Sequence, residues 1–369
     1  LVSCSRTGQK KDDANSLDVF FSSQFPDDEP GGAVIVMQND SILFAKGYGL
    51  ANVKTREKIT TKTLFNVGSI SKTFVAHGIL ILASEGKLSV EDSLMKYFPQ
   101  FKNADIARSV KIKHLLTHTS GLVDNREVDK DTVFYLTAKD RENWAPIMHA
   151  DTLAFPPGAR FAYSNPAYNG LALIIESVSK KEWQQFVIDN IMRPSGMMQS
   201  TITNGSYPSE GVSHAYVKDH GHWIEDDYGE EPTFPAAGNG GVWSSVEELA
   251  KYEQAIEQGV FLPKDVIEDA RTIKTFSNWE GNAPSFIDWS WFRPVDPQKP
   301  FMGWSWFIGQ TKDGVGIVGH TGSQGGFLAN YVVIPDRHIF FVILCNTPRD
   351  MIGYSEKIIS WLKEHHRIE

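Results

Sequence analysis

The 369 residues carry 36 Lys and Arg against 45 Asp and Glu, a formal net charge of −9, with 41% hydrophobic and 22% charged residues. This is the composition of a globular chain long enough for a substantial core, and with no long basic run it excludes nucleic acid as the expected partner. No apolar run approaches the roughly 20 residues that a membrane span needs, and two cysteines, Cys4 and Cys345, supply no framework of disulfides or metal ligands.

Taken in order, the chain opens on Leu1-Val2-Ser3-Cys4, which resembles the end of a bacterial lipoprotein signal peptide, with Cys4 as the lipidation candidate. The polar stretch from Ser5 to Ser16 reads as a flexible tether, so residues 1–22 are set apart from a single catalytic domain over 23–369. A lipid on Cys4 is the only membrane attachment expected, and it implies a periplasmic or surface location in the cell envelope. Ala33 to Met37 and Ser41 to Ala45, around Gln38-Asn39-Asp40, predict a hairpin.

Phe65-Asn66-Val67-Gly68-Ser69-Ile70-Ser71-Lys72-Thr73-Phe74 then reads as a turn feeding an apolar helix that runs to about Ala83. Ser69 and Lys72 share one helix face, and the helix N-terminus favours negative charge developing on the hydroxyl. A lysine buried beside that positive field is pushed towards its neutral form and can act as a base for the serine. A second Ser-x-x-Lys, Ser177 to Lys180, reads as the polar end of an ordinary helix, so the pattern needs support from elsewhere.

Ser89-Val90-Glu91-Asp92 predicts a capping box for a short helix ending at Pro99. A helical, loop-rich region follows, and the helical subdomain is placed at roughly 89–239. His114 and His118 stand four apart, yet no Glu follows in a His-Glu-x-x-His arrangement. Glu210 to Pro235 is acidic and aperiodic and reads as a long surface loop, with His220 and His222 solvated on it. Ala236 to Gly241 is glycine-rich without the strand and lysine of a phosphate loop, which leaves close backbone packing as its explanation. Neither a metal nor a cofactor is expected.

Ser245 caps a helix ending near Gly259. Trp279, Trp289, Trp291, Trp304 and Trp306 suit packing more than a ligand-stacking wall. Strands are predicted at Gly316 to Val318, Phe327 to Pro335 and Ile339 to Leu344, with Cys345 buried behind the last, and a final helix from Ile352 to Lys363. Strands thus lie at both chain ends and helices between, which predicts an α/β (α+β) fold: an antiparallel sheet from N- and C-terminal strands, flanking helices and an all-helical subdomain.

Acyl transfer through a serine needs a nucleophile, a base, an oxyanion hole and groups that position substrate. Beyond Ser69 and Lys72, candidates stand at Tyr163-Ser164-Asn165 and at Gly319-His320-Thr321-Gly322-Ser323. With Ser-x-x-Lys at Ser69–Lys72, Tyr-x-Asn at Tyr163–Asn165 and a Lys/His-Thr-Gly at His320–Gly322, in that order, the chain resembles the serine β-lactamase and penicillin-binding protein superfamily. Leu115 to Leu122, and Pro157-Gly158 ahead of Tyr163, add to the likeness, which covers roughly Pro30 to the C-terminus.

The tyrosine motif points to the class C-like branch, with D-alanyl-D-alanine carboxypeptidases and esterases among its members. The resemblance implies an acyl-enzyme on Ser69, proton transfer shared by Lys72 and Tyr163, and hydrogen bonding from Asn165. It also implies an oxyanion hole of the Ser69 and Ser323 backbone N–H groups, and substrate contacts along His320, Thr321 and Gly322. The implied partners are small-molecule, ester or peptidoglycan-peptide substrates, with β-lactams as acylating ligands. Where typical β-lactamases carry lysine, this chain has His320. A charged His320 gripping a carboxylate would lose affinity as pH rises through its titration. The readings this leaves are a peptidase- or esterase-type hydrolase, a class C-like β-lactamase, and a non-catalytic penicillin- or peptidoglycan-binding lipoprotein.

Overall fold

The computed structural model describes residues 16–126, 138–203, 207–226, 237–281, 293–296 and 298–368. Its centre is a six-stranded antiparallel sheet. In chain order the strands are β1 (Gly32–Gln38), β2 (Ser41–Tyr48), β3 (Phe307–Gln310), β4 (Gly316–Gln324), β5 (Phe327–Ile334) and β6 (Ile339–Cys345). Across the sheet they run β3-β4-β5-β6-β1-β2, so β1 from the N-terminal end pairs with β6 from the C-terminal end. This is the expected arrangement of a sheet built from both chain ends.

The apolar runs of β1 and β6 do not alternate with polar residues because both faces of the sheet are covered. Ala33, Ile35, Val342 and Leu344 face one core, while Val34, Val36, Phe341 and Ile343 face the other. The second core is closed by helix α1 (16–24) and the C-terminal helix Met351–Glu364, through Leu17, Phe21, Ile358 and Leu362. That corrects the tether over 1–22 at its C-terminal end: Leu17 and Phe21 are fully buried, and a mobile tether would leave that sheet face wet. Residues 1–15, with Cys4, lie outside the described residues. No described helix is long and apolar enough to cross a membrane.

The first core packs the sheet against helix α2 (Ser71–Ser84), in which every residue from Ser71 to Leu82 is buried. A helix apolar on all sides belongs in the middle of a fold. Around it stand α3 (Asp140–Met148), α4 (Asn165–Ser179), α5 (Trp183–Val187) and α6 (Val246–Gln258).

Several expectations are corrected. Ser89 to Asp92 makes a local turn, with Asp92 accepting from the Ser89 N–H at 2.9 Å, but it leads to a 3₁₀ turn, Leu94–Lys96, rather than to an α-helix. The Leu94 N–H is diverted to the Val110 carbonyl at 2.9 Å, and Ser93 bridges Lys111. The region 89–239 is not all-helical: Thr201–Ile202, Tyr216–Asp219 and His222–Glu225 are strands. The last two form a hairpin inside the stretch read as a surface loop. His220 and Gly221 sit at φ 45° and 87°, as the tightest hairpin turn requires. Finally, β4 extends six residues past Val318 because Gly325 turns the chain and β5 pairs back through Gln324.

Candidate active site

The serine turn is built by its neighbours. Asn66 Oδ1 accepts the Gly68 N–H at 2.8 Å, and the Val67 N–H reaches the Val242 carbonyl at 3.0 Å. Gly68, at φ +52°, turns the chain into a 3₁₀ turn, Gly68–Ile70, that runs into α2. Ser69 therefore lies in the turn just ahead of the helix. Ser71 Oγ accepts the Val242 N–H at 3.0 Å and pins the helix start to the strand Val242–Ser244.

Lys72, one turn on, is 0% exposed. Its Nζ lies 2.8 Å from Ser69 Oγ and donates to the Asn239 carbonyl at 2.8 Å. Burial first, and then the positive charge of Arg126, hold its pKa well below the ordinary lysine value. A neutral amine here keeps one hydrogen on Asn239 and offers its lone pair to the serine hydroxyl, so the geometry suits proton removal from Ser69.

Tyr163 stands on the far side of that amine, with Lys72 Nζ 5.1 Å from its ring centroid. The loop carrying it is held by His118, whose carbonyl accepts the Ala162 N–H at 2.8 Å and whose Nδ1 accepts the Ser164 N–H at 3.0 Å. The imidazole also stacks on the Tyr163 ring at 4.3 Å. Burial above all keeps His118 well below the usual histidine range, hence neutral. Asn165 heads α4, with Ser164 as N-cap, its side chain accepting from the Ala167 N–H, and Pro166 next, where a missing N–H costs the helix nothing.

β4 forms the opposite wall. Gly322 lies so close to the serine turn that a Cβ there would meet the Val67 carbonyl oxygen at 2.0 Å, and one on Gly68 would meet Ser323 N at 2.6 Å. Two glycines thus let the backbones of Ser69 and Ser323 approach each other. Strand alternation puts His320 and Gly322 on the serine face and Thr321 and Ser323 on the other, so Ser323 can take part through its backbone.

His320 overturns one expectation. It is 1% exposed, its Nδ1–H donates to the Thr321 carbonyl at 2.6 Å, and Phe307 packs beside it. Burial above all pushes its pKa down to about 3 against the pull of Thr321. The ring stays neutral across physiological pH and supplies no cation for a carboxylate. KM for a carboxylate-bearing substrate and for a matched neutral ester should therefore keep a constant ratio from about pH 5 to 8, where an unperturbed histidine would titrate. A ratio rising with pH would restore the charged histidine.

Sequence reading missed Asn239 and Arg126. Asn239 lay in the glycine-rich stretch, and nothing marked its carbonyl as the partner of Lys72. Arg126 is buried, forks onto Asp124 at 2.8 and 2.6 Å and also bonds Asn143. Of the tryptophans, Trp304 and Trp306 are buried as packing, while Trp289 and Trp291 lie outside the described residues. Among the described residues no group of His, Cys, Asp and Glu is placed to hold a metal.

The Beta-lactamase family model matches residues 23–355. The chain is 26% identical over 363 residues to penicillin-binding protein 4* of Bacillus subtilis, covering 92% of this chain and 73% of that one. It is 32% identical over 183 residues to protein flp of Staphylococcus aureus, 49% of this chain and 36% of the relative. Among solved structures, the octameric penicillin-binding protein homologue from Pyrococcus abyssi superposes with a TM-score of 0.77 at 25% identity, over 96% of this chain and 77% of that one. The D-amino acid amidase from Ochrobactrum anthropi shares the fold with a TM-score of 0.77 at 18% identity, over 96% and 99%.

Proposed function

The chain belongs to the Beta-lactamase family, and from that premise we propose that it is a serine hydrolase that forms an acyl-enzyme on Ser69 with an amide or ester carbonyl. Its type is that of a D-alanyl-D-alanine peptidase or an esterase. One observation carries the reading: a fully buried lysine amine lies 2.8 Å from the serine hydroxyl. In the first step Ser69 Oγ attacks the carbonyl as its proton passes to Lys72. The oxyanion is received by the Ser69 and Ser323 N–H groups. Tyr163 passes the proton on to the leaving group, and Asn165 and the β4 edge orient the substrate. Water then cleaves the ester, with Lys72 and Tyr163 acting as a pair.

The class C-like β-lactamase is the weaker alternative, because the position that would grip the carboxylate of the antibiotic holds a neutral, buried His320, and the same absence of a cation ranks the esterase type above a peptidase acting on a carboxylate-terminated D-alanyl-D-alanine peptide. A cell-envelope location with a lipid on Cys4 belongs to the same proposal and rests on Leu1-Val2-Ser3-Cys4 alone.

Intact-mass spectrometry after mixing with benzylpenicillin tests this, with turnover of a p-nitrophenyl ester measured in parallel and Ser69→Ala beside the parent. The expected result is a lasting penicilloyl adduct and ester turnover, both absent from the variant. Hydrolysed antibiotic without an adduct, again requiring Ser69, would favour the β-lactamase. An adduct with no turnover of any ester or D-amino-acid peptide would favour the binding protein. Ester turnover that survives Ser69→Ala would overturn the assignment.

A further inference from the structure

Behind Ser69 and Lys72 lies a buried carboxyl that the chemistry above does not use. Asp140, the first residue of α3, accepts three hydrogen bonds. Its Oδ1 takes Asn169 Nδ2 at 2.7 Å and the Gly238 N–H at 2.8 Å, and its Oδ2 takes Trp183 Nε1 at 2.7 Å. The Asn169 amide also donates to Asn239 Oδ1 at 3.0 Å. Asn239 in turn presents its carbonyl to Lys72 Nζ at 2.8 Å.

One carboxyl oxygen thus clamps both residues of Gly238-Asn239, the backbone of the first directly and the side chain of the second through Asn169. The clamp matters because Gly238, Gly240 and Gly241 give this stretch no stiffness of its own. The same Asn169 lies one helical turn after Asn165 in α4, so the clamp also ties that helix start to the lysine's partner. A buried carboxyl is costly: burial lifts its pKa to about 7 against three donors. An apolar side chain would fill the space without that cost but could not accept these bonds.

We propose that Asp140 is a positioning residue for Lys72, fixing through Asn169, Gly238 and Asn239 the carbonyl that holds the lysine nitrogen against Ser69. This rests on the reading of Ser69 and Lys72 as the acylating pair. Losing the clamp frees the Asn239 carbonyl, lets the amine drift from the hydroxyl, and slows acylation without touching substrate.

The test is steady-state turnover of a p-nitrophenyl ester by Asp140→Leu, Asn169→Ala, Trp183→Phe and Ser69→Ala, with thermal melts of each; leucine fills the space of Asp140 but accepts no hydrogen bond, whereas asparagine would keep the clamping oxygen as its amide carbonyl. Asp140→Leu and Asn169→Ala should lower kcat by about 30- to 100-fold with KM within about threefold, the loss expected of a displacement near 1 Å at a reacting group. Trp183→Phe touches only the far oxygen of the carboxyl, so it should lower the melting temperature and leave kcat within about twofold. A folded Asp140→Leu with kcat within twofold of the parent would overturn the proposal. So would Trp183→Phe losing kcat as far as Asp140→Leu, because loosened packing would then explain both. If Asp140→Leu does not fold, Asn169→Ala decides by the same criterion. Ser69→Ala separates the two levels: turnover that survives it overturns the acyl-enzyme reading and this one together, whereas turnover lost in Ser69→Ala but unchanged in Asp140→Leu overturns the positioning role alone.

Discussion

Replacing Lys72 with methionine should lower kcat for an activated ester about 1,000-fold while leaving the fold intact. The magnitude is that of a removed general base. The fold should survive because burial and Arg126 already hold the Lys72 pKa well below its ordinary value, so its charge is costly here, and methionine fills a similar volume. The Asn239 carbonyl loses a donor, at a cost of about 1 kcal/mol, and the desolvation of the amine is relieved in return.

The pH dependence gives an independent reading. A base works deprotonated, so kcat/KM of the parent should fall as pH drops through the lysine's pKa. Because that pKa is depressed well below 10.5, the limb lies far to the acid side of an ordinary lysine's and activity persists at neutral pH. The methionine variant should lack that limb. Retention of more than a tenth of kcat, or an unchanged acid limb, would remove Lys72 from the role of base.

Gly322→Ala should cost about 100- to 1,000-fold in kcat by a different route. The new methyl would lie 2.0 Å from the Val67 carbonyl oxygen and 3.3 Å from Ser69 N, both backbone atoms with no rotamer to change. β4 and the serine turn must therefore separate by roughly 1 Å, which withdraws the Ser323 N–H from an oxyanion bound at Ser69. Overpacking of this kind also destabilises by about 1–3 kcal/mol, so the melting temperature should fall. Gly316→Ala is the control: it lies on the same strand, where a Cβ meets nothing within 4 Å, and should behave as the parent does. Parent-like kinetics in Gly322→Ala would show that the close approach of the two backbones plays no part in the reaction.

Much of this site was legible because its parts are local. Asn66, Gly68, Ser69 and Lys72 form one turn and one helical step, whereas the helix that opens at Ser164-Asn165-Pro166 was not read from the sequence. The sheet was equally open to reading, since Ala33 to Met37 and Ile339 to Leu344 are apolar runs too short for anything but strands. What escaped were features decided by neighbours remote in sequence. The hairpin over Tyr216–Asp219 and His222–Glu225 was hidden by its charged composition, although His220-Gly221 carried the turn signal. The 16–24 helix was hidden because its reason for folding is a sheet face whose residues run from Val34 to Cys345.

By itself, then, the sequence determined which side chains are the candidates for the chemistry, because the proposed nucleophile and base are picked out by a spacing of three residues. Only the tertiary structure decided their protonation. The Lys72 pKa is held well below the ordinary lysine value because α2 is buried on every side, and His320 is neutral because β4 lies against the serine turn with Phe307 beside it. Desolvation is the sum of what the whole fold packs around a group, and the one-letter string does not contain it. The same holds for the carbonyl of Asn239, which reaches Lys72 from 167 residues away along the chain.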